Sequence, residues 1–143
     1  MQYRNKENYI LVRLDNGDEI MSSLKKIAKE ENVNFAQING IGAVDQVEIG
    51  LFDFKTRKYK HKKLNGEYEL TSLMGNITIK DNEPFVHAHV NISDDQYKCF
   101  GGHLFHAKIT ATGELFLLVL NDIVNREYDK FIGLHLWDLN SCE

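Results

Sequence analysis

The sequence predicts an α+β fold, a mostly antiparallel β-sheet with one main helix near the N-terminus, within a single domain of 143 residues. Three observations carry this. Only the segment after Asp18 has a sustained helical period, with Ile20, Leu24, Ile27 and Ala28 at i, i+4, i+7 and i+8. Beyond Asn32 the chain breaks into short apolar or alternating stretches separated by Gly, Asn and Asp, the rhythm of paired strands. No strand–helix–strand repeat follows, which argues against a parallel, repeatedly wound sheet.

Taken in order, Tyr9 to Leu14 (YILVRL) is apolar and β-branched enough for a strand, and Asp15-Asn16-Gly17 supplies a turn. Asp18 then serves as N-cap or first-turn anion of the helix, whose Lys25, Lys26, Lys29 and Glu30 face water. Strand segments are expected at 35–39, 43–53, 58–63, 67–74, 77–80, 85–92, 97–100, 104–110 and 115–120. Leu64-Asn65-Gly66-Glu67 reads as a tight hairpin turn, because Asn-Gly accepts the positive φ such turns need. Asp81-Asn82-Glu83-Pro84 is a second turn, with Pro84 at a strand entrance where its missing N–H does least harm. Gly40 and Gly42 lack the spacing of a dinucleotide-binding loop and read as bulge or corner residues.

Composition narrows the class. A chain of this size buries roughly 68–70% of its unfolded surface, so 43% hydrophobic residues suffice for an ordinary core. With 17 Lys and Arg against 21 Asp and Glu the net charge is −4, which excludes a uniformly basic protein that coats nucleic acid or membrane. One proline and 27% charged residues exclude a disordered, proline-rich tail. Cys99 and Cys142 form neither a CxxC pair nor a disulfide framework and are read as reduced thiols. The N-terminus lacks the apolar stretch of a secretory signal, and no run approaches the roughly 18 apolar residues of a membrane span. A cytoplasmic location is expected, against the alternative of a secreted chain already cleaved.

Chemistry concentrates in the histidines. Four of the six, His87, His89, His103 and His106, lie within twenty residues. In Phe85-Val86-His87-Ala88-His89-Val90-Asn91-Ile92 a period of two sends His87, His89 and Asn91 to one face and the apolar residues to the other. Two imidazoles so spaced can converge on one ion. If the chain reverses about Asp95, residue 103 returns opposite residue 87 and His103 becomes a third ligand, with Gly101 and Gly102 as a place for a bulge. Three neutral imidazoles leave a tetrahedral ion one open position, which favours Zn²⁺ in a catalytic or ligand-binding site over a closed structural one. Bound water there would act as nucleophile or base, or the ion would polarise a carbonyl oxygen. Asp94, Asp95, Glu48 and Glu69 are candidates to orient the rings. His106 points away from His103 in a regular strand and ranks as an outer or unrelated residue. The alternative is that His87 and His89 are ordinary, partly buried polar residues.

These residues carry a resemblance. Gly40-Ile41-Gly42-Ala43-Val44, Val47-Glu48-Ile49-Gly50, the run Tyr68-Glu69-Leu70-Thr71-Ser72-Leu73-Met74-Gly75-Asn76-Ile77, His87-Ala88-His89, Gly101-Gly102-His103-Leu104 and Ile132-Gly133-Leu134-His135-Leu136 together resemble the plant and prokaryote conserved (PPC) domain. The match runs from about residue 9 to residue 139, so one PPC-type domain fills the chain. The resemblance implies an α+β fold with a barrel-like antiparallel sheet, assembled as a homotrimer. It also implies an association with DNA, which nuclear members contact through an added AT-hook; the Arg-Gly-Arg-Pro core of that hook is absent from this sequence. The fold is similar to that of acetolactate decarboxylases and of a zinc-dependent ester hydrolase, which hold zinc through three histidines. On that comparison His87, His89 and His103 are the metal ligands.

One segment stands apart in charge. Lys55, Arg57, Lys58, Lys60, Lys62 and Lys63 lie in nine residues without an acid, so the rest of the chain is at −10. Such a stretch, with Tyr59 interleaved, either contacts phosphates or keeps an exposed sheet edge from pairing with other chains. In a trimer three copies would be displayed. Trp137, Tyr128 and Phe131 read as packing or subunit-contact residues, and His135 as a residue that a neighbouring subunit could bring to a site.

Three functions follow as expectations: a homotrimeric DNA-associated regulator carrying a three-histidine zinc site; a zinc-dependent enzyme acting on a small carbonyl compound, decarboxylase-like or ester hydrolase-like; or a trimeric scaffold that binds other proteins.

Overall fold

The alternation in YILVRL has the consequence a period of two demands: Ile10, Val12 and Leu14 are buried while Tyr9, Leu11 and Arg13 face outward. The computed structural model describes residues 1–140, and Cys142 lies outside them. The elements are β1 (Gln2–Lys6), β2 (Tyr9–Asp15), α1 (Ile20–Glu30), β3 (Ala36–Asp53), β4 (Lys58–Leu64), β5 (Tyr68–Lys80), β6 (Glu83–Ser93), β7 (Cys99–Val119), β8 (Asn125–Asp129) and β9 (Leu134–Asp138). All nine strands belong to one sheet. Its path runs β1-β2-β7-β3-β5-β8-β9, with β4 on β3 and β6 bridging β5 and β7. Every pairing is antiparallel except the single parallel contact of Ile79 with Asn125, so the sheet is mixed.

Helix α1 covers the core with Ile20, Leu24, Ile27 and Ala28, all fully buried, and packs against β6 and β7. Its cap differs from expectation. Glu19, not Asp18, is the N-cap and accepts hydrogen bonds from the amides of Met21 and Ser22. Asp18 instead accepts from the Asp15 amide and binds the N-terminal ammonium 2.8 Å away.

Several expected short segments fuse into long strands. β3 pairs along one side with β7; on the other side its first half pairs with β5 and its second half with β4. Asn65-Gly66 therefore does not close a β4–β5 hairpin. It is a connection between two strands that share β3, with Gly66 at φ +118° and its amide held 2.8 Å from Asp45. Asp81 and Asn82, at φ 52° and 60°, do form a two-residue hairpin turn between β5 and β6. The register shifts between Gly40 and Gly42, and again between Gly42 and Val44, agree with bulge positions.

The core is one cluster of buried aliphatic residues, including Ile38, Leu70, Leu73, Ile77, Val90, Ile92, Leu104, Ile109 and Leu117. Val86, Ala88, Val90 and Ile92 of β6 all point into it, which leaves the intervening histidines on the opposite face. No helix among the described residues is long and apolar enough to cross a membrane.

Close strand approach beside those histidines requires a missing side chain. A Cβ at Gly75 would lie 2.2 Å from the His87 carbonyl oxygen and 2.8 Å from the Ala88 Cα. Gly75→Ala should therefore cost about 1–3 kcal/mol through forced strand separation. Urea denaturation measures it, and unchanged stability would contradict the close approach.

Candidate metal centre

β6 and β7 form a hairpin in which His89 pairs with His103, Val90 with Gly102 and Asn91 with Gly101. The reversal thus centres on Gln96 and not Asp95, because Asp94 caps the turn by accepting from the amides of Gln96 and Lys98. His103 faces His89 directly, two residues from the expected partner His87. A two-residue slip keeps the face of a strand, so the three rings still converge.

The triangle is nearly even, with ring centroids 5.2 Å apart for His87–His89, 5.1 Å for His87–His103 and 5.5 Å for His89–His103. One ligand nitrogen from each lies within 4.8 Å of the others. A tetrahedral zinc site needs nitrogens about 3.3 Å apart at Zn–N of about 2.05 Å, a contraction that side-chain rotation supplies. His103 Nδ1 is buried and has no hydrogen-bond partner. An orphaned buried polar atom of this kind costs about 1–3 kcal/mol, and a metal ion would satisfy it. The donor set and the orphaned nitrogen fit a divalent ion of the imidazole-binding type.

Backbone proximity builds the site. Met74, His89, His103, Gly50 and His61 form one continuous row across β5, β6, β7, β3 and β4. Gly101 and Gly102 do not bulge but stay in register, and their missing side chains permit the close approach, since a Cβ at Gly101 would meet Asn91 Oδ1 at 2.5 Å and one at Gly102 the Gly50 carbonyl oxygen at 2.8 Å. The bulge falls instead at Phe105, since Ile49 pairs with Leu104 and Glu48 with His106. Phe105 then lies over Gly50, edge-on to His103 at 4.8 Å and stacked on His61 at 4.4 Å. Tyr59 completes this aromatic wall 4.9 Å from His103, its phenol pKa raised by burial.

None of the four expected carboxylates bonds His87, His89 or His103. Glu48 is engaged by His61 at 2.7 Å and Lys63 at 3.6 Å, and its acidity is increased mainly by His61. Asp94 serves the turn, and neither Asp95 nor Glu69 bonds a histidine. His106 faces Glu19, 3.7 Å away, and stands outside the triangle. The polar neighbour is Arg126 of β8, which approaches His87 Nδ1 at 3.5 Å. Sequence reasoning missed it: Arg126 is 23 residues beyond His103, in a strand docked by one non-local pair, and no motif marks it. His135 contributes its backbone carbonyl, which accepts from Arg126, while its ring packs on Tyr128. Trp137 packs edge-on to Phe35, and Phe131 is exposed.

The basic segment is divided. Lys58, Lys60, Lys62 and Lys63 lie on the edge strand β4, and Lys55 and Arg57 in the turn before it. Lys60 pairs with Asp53, whose pKa falls to about 2 chiefly through that contact. Lys63 pairs with Glu48, Lys62 sits over the Phe100 ring, and Arg57 donates to the Lys130 carbonyl.

Comparison with known proteins agrees with the fold. The family model of the Plants and Prokaryotes Conserved domain matches residues 1–121, and the chain belongs to that family. A PPC protein from Pyrococcus horikoshii is 35% identical over 96% of this chain and 94% of its own, with a TM-score of 0.86. A metal-containing protein from Archaeoglobus fulgidus is 33% identical over 95% of this chain and 96% of its own, with a TM-score of 0.84. A Bacteroides thetaiotaomicron protein described as a "putative dna binding protein" is 28% identical over 96% of both chains, with a TM-score of 0.92. No curated protein matches the sequence significantly.

Burial, then Arg126 and His89, push the His87 imidazole down to about 4; burial, then His87 and His89, push His103 down to about 4. Both are therefore neutral near pH 7, the form a metal requires. In the unfolded chain an imidazole titrates near about 6.5, so between about 6.5 and 4 the unfolded state binds more protons. The stabilisation is complete above about 6.5 and disappears as pH falls to about 4. Thermal melting of metal-free protein should weaken across this window, and His87→Asn/His103→Asn should flatten that dependence. Equal slopes in both proteins would show that the two rings titrate normally.

Proposed function

We propose that this PPC-family chain is a homotrimeric zinc protein in which His87, His89 and His103 hold Zn²⁺ and leave one position for a small-molecule ligand. The observation that carries it is the convergence of three histidines on one face with a buried, unpartnered nitrogen among them. When bound, zinc supplies Lewis acidity or an acidified water. His87 and His103 contribute neutral donors, and Tyr59 and Phe105 wall one side of the site against water. A reaction on a small carbonyl compound is compatible with that arrangement. Self-association is supported by a cavity of about 890 Å³ lined by Leu11, Ile41, Met74 and Phe116, since exposed apolar surface of this kind marks an interaction site.

Purified protein should contain about one zinc per chain by elemental analysis and migrate in light scattering at the mass of three chains. His87→Ala/His89→Ala should lose the metal. Wild-type protein purified without chelator that holds no metal and takes up no added Zn²⁺ would overturn the reading.

A DNA-associated regulatory role is the second reading, favoured by the exposed lysines of β4 and by structural relatives described as "putative" DNA-binding proteins. Because Lys60 and Lys63 already have acidic partners, Lys58 and Lys62 are the residues to test. Duplex affinity should fall steeply with salt, and Lys58→Gln/Lys62→Gln should reduce the log–log slope by roughly one for each phosphate no longer neutralised. Absent or salt-insensitive binding removes this role.

A further inference from the structure

Arg126 is held in an unusual way for a half-buried cation. Nε donates to Thr78 Oγ1 at 2.8 Å, one terminal nitrogen to the His135 carbonyl at 2.9 Å, and the other to Asn76 Oδ1 at 2.9 Å while approaching His87 Nδ1 at 3.5 Å. The Phe85 ring lies 5.0 Å below the guanidinium carbon. Every one of these partners is neutral. Among the described residues no carboxylate comes within ion-pair distance of Arg126, and its hydrogen-bond partners are Thr78, His135, Asn76 and His87. Buried arginines ordinarily find a counter-charge. Here, among the described residues, the packing instead holds the charge by neutral groups alone, beside the three imidazoles of His87, His89 and His103.

A divalent cation taken up by those imidazoles would meet a second positive charge, with no carboxylate among the described residues paired to Arg126 or bonded to the three rings. We propose that metal and a small carboxylate bind this centre as a linked pair, with Arg126 as the linking residue. The bare ion is opposed by Arg126, and the carboxylate, placed between ion and guanidinium, removes that opposition and engages a donor that His87 otherwise occupies. This rests on the metal reading above and deepens it: it specifies an anionic ligand and makes occupancy of the centre depend on it. By reciprocity, the factor by which the anion tightens the metal equals the factor by which the metal tightens the anion.

The test uses Co²⁺ as a spectroscopic probe, titrated by its visible absorption into metal-free full-length protein at constant ionic strength in perchlorate and then in acetate. Wild type should bind Co²⁺ at least about fivefold more tightly in acetate, the lower end of ordinary coupling. Arg126→Gln should lose this dependence and bind Co²⁺ more tightly than wild type in perchlorate. Arg126→Lys, which keeps the charge and serves as a second variant should the glutamine form fail to fold, should remain weak in perchlorate. An acetate effect of equal size in wild type and Arg126→Gln, or weaker Co²⁺ binding by Arg126→Gln in perchlorate, overturns the linkage while leaving the metal site standing. Wild type that takes up no Co²⁺ in either salt overturns both.

Discussion

The close approach of strand backbones around β6 is the constraint on which the site depends. Gly75 lets β5 lie against the His87–Ala88 backbone, Gly101 lets β7 lie against Asn91, and Gly102 lets β7 reach the Gly50 carbonyl of β3. With side chains at these positions the strands would separate by a few tenths of an ångström or more, and the row from Met74 through His89 and His103 to Gly50 would open. The alternating aliphatic residues of β6 anchor the other side. Val86, Ala88, Val90 and Ile92 cannot leave the core without losing their burial, so His87 and His89 are fixed outward. Packing on one face thereby sets the geometry of the histidines on the other.

Electrostatics then gives the site its character. His87 and His103 stay neutral because burial and neighbouring positive charge disfavour protonation, and among the described residues no carboxylate bonds these rings. The aromatic pair Tyr59 and Phe105 separates the histidine triangle from the His61–Glu48–Lys63 cluster on the far side of Gly50. Among the described residues, Arg126 supplies the one formal charge within hydrogen-bond reach of the triangle. On the proposals above, a centre so composed would accept a cation through its lone pairs and an anion through its charge.

Much of this was legible in the amino-acid order because it rests on short-range periodicity. The faces of β2 and β6 follow from alternation, the helix from its i, i+4 spacing, and the Asp81-Asn82 turn from residues that tolerate positive φ. The convergence of His103 followed as well, since either register of the hairpin keeps the same face. What was not legible depends on non-local pairing. Asn65-Gly66 has the composition of a hairpin turn, yet β3 is long enough to recruit both flanking strands separately. The bulge at Phe105 is dictated by the packing of Leu104 and Ala107 into one core, which no local pattern reveals. Gln2–Lys6 carries polar residues and pairs only as an edge, and β8 meets β5 at one residue pair, so neither strand nor Arg126 announces itself.

The central claim is that three imidazoles of one chain share one ion. X-ray absorption at the zinc edge of zinc-loaded protein tests it most directly, by counting imidazole scatterers around the metal. Three such ligands and one oxygen donor near about 2.0 Å are predicted for the wild type, with two imidazoles remaining in His103→Ala. A wild-type spectrum with sulfur ligands, or with fewer than three imidazoles, would contradict the centre described above.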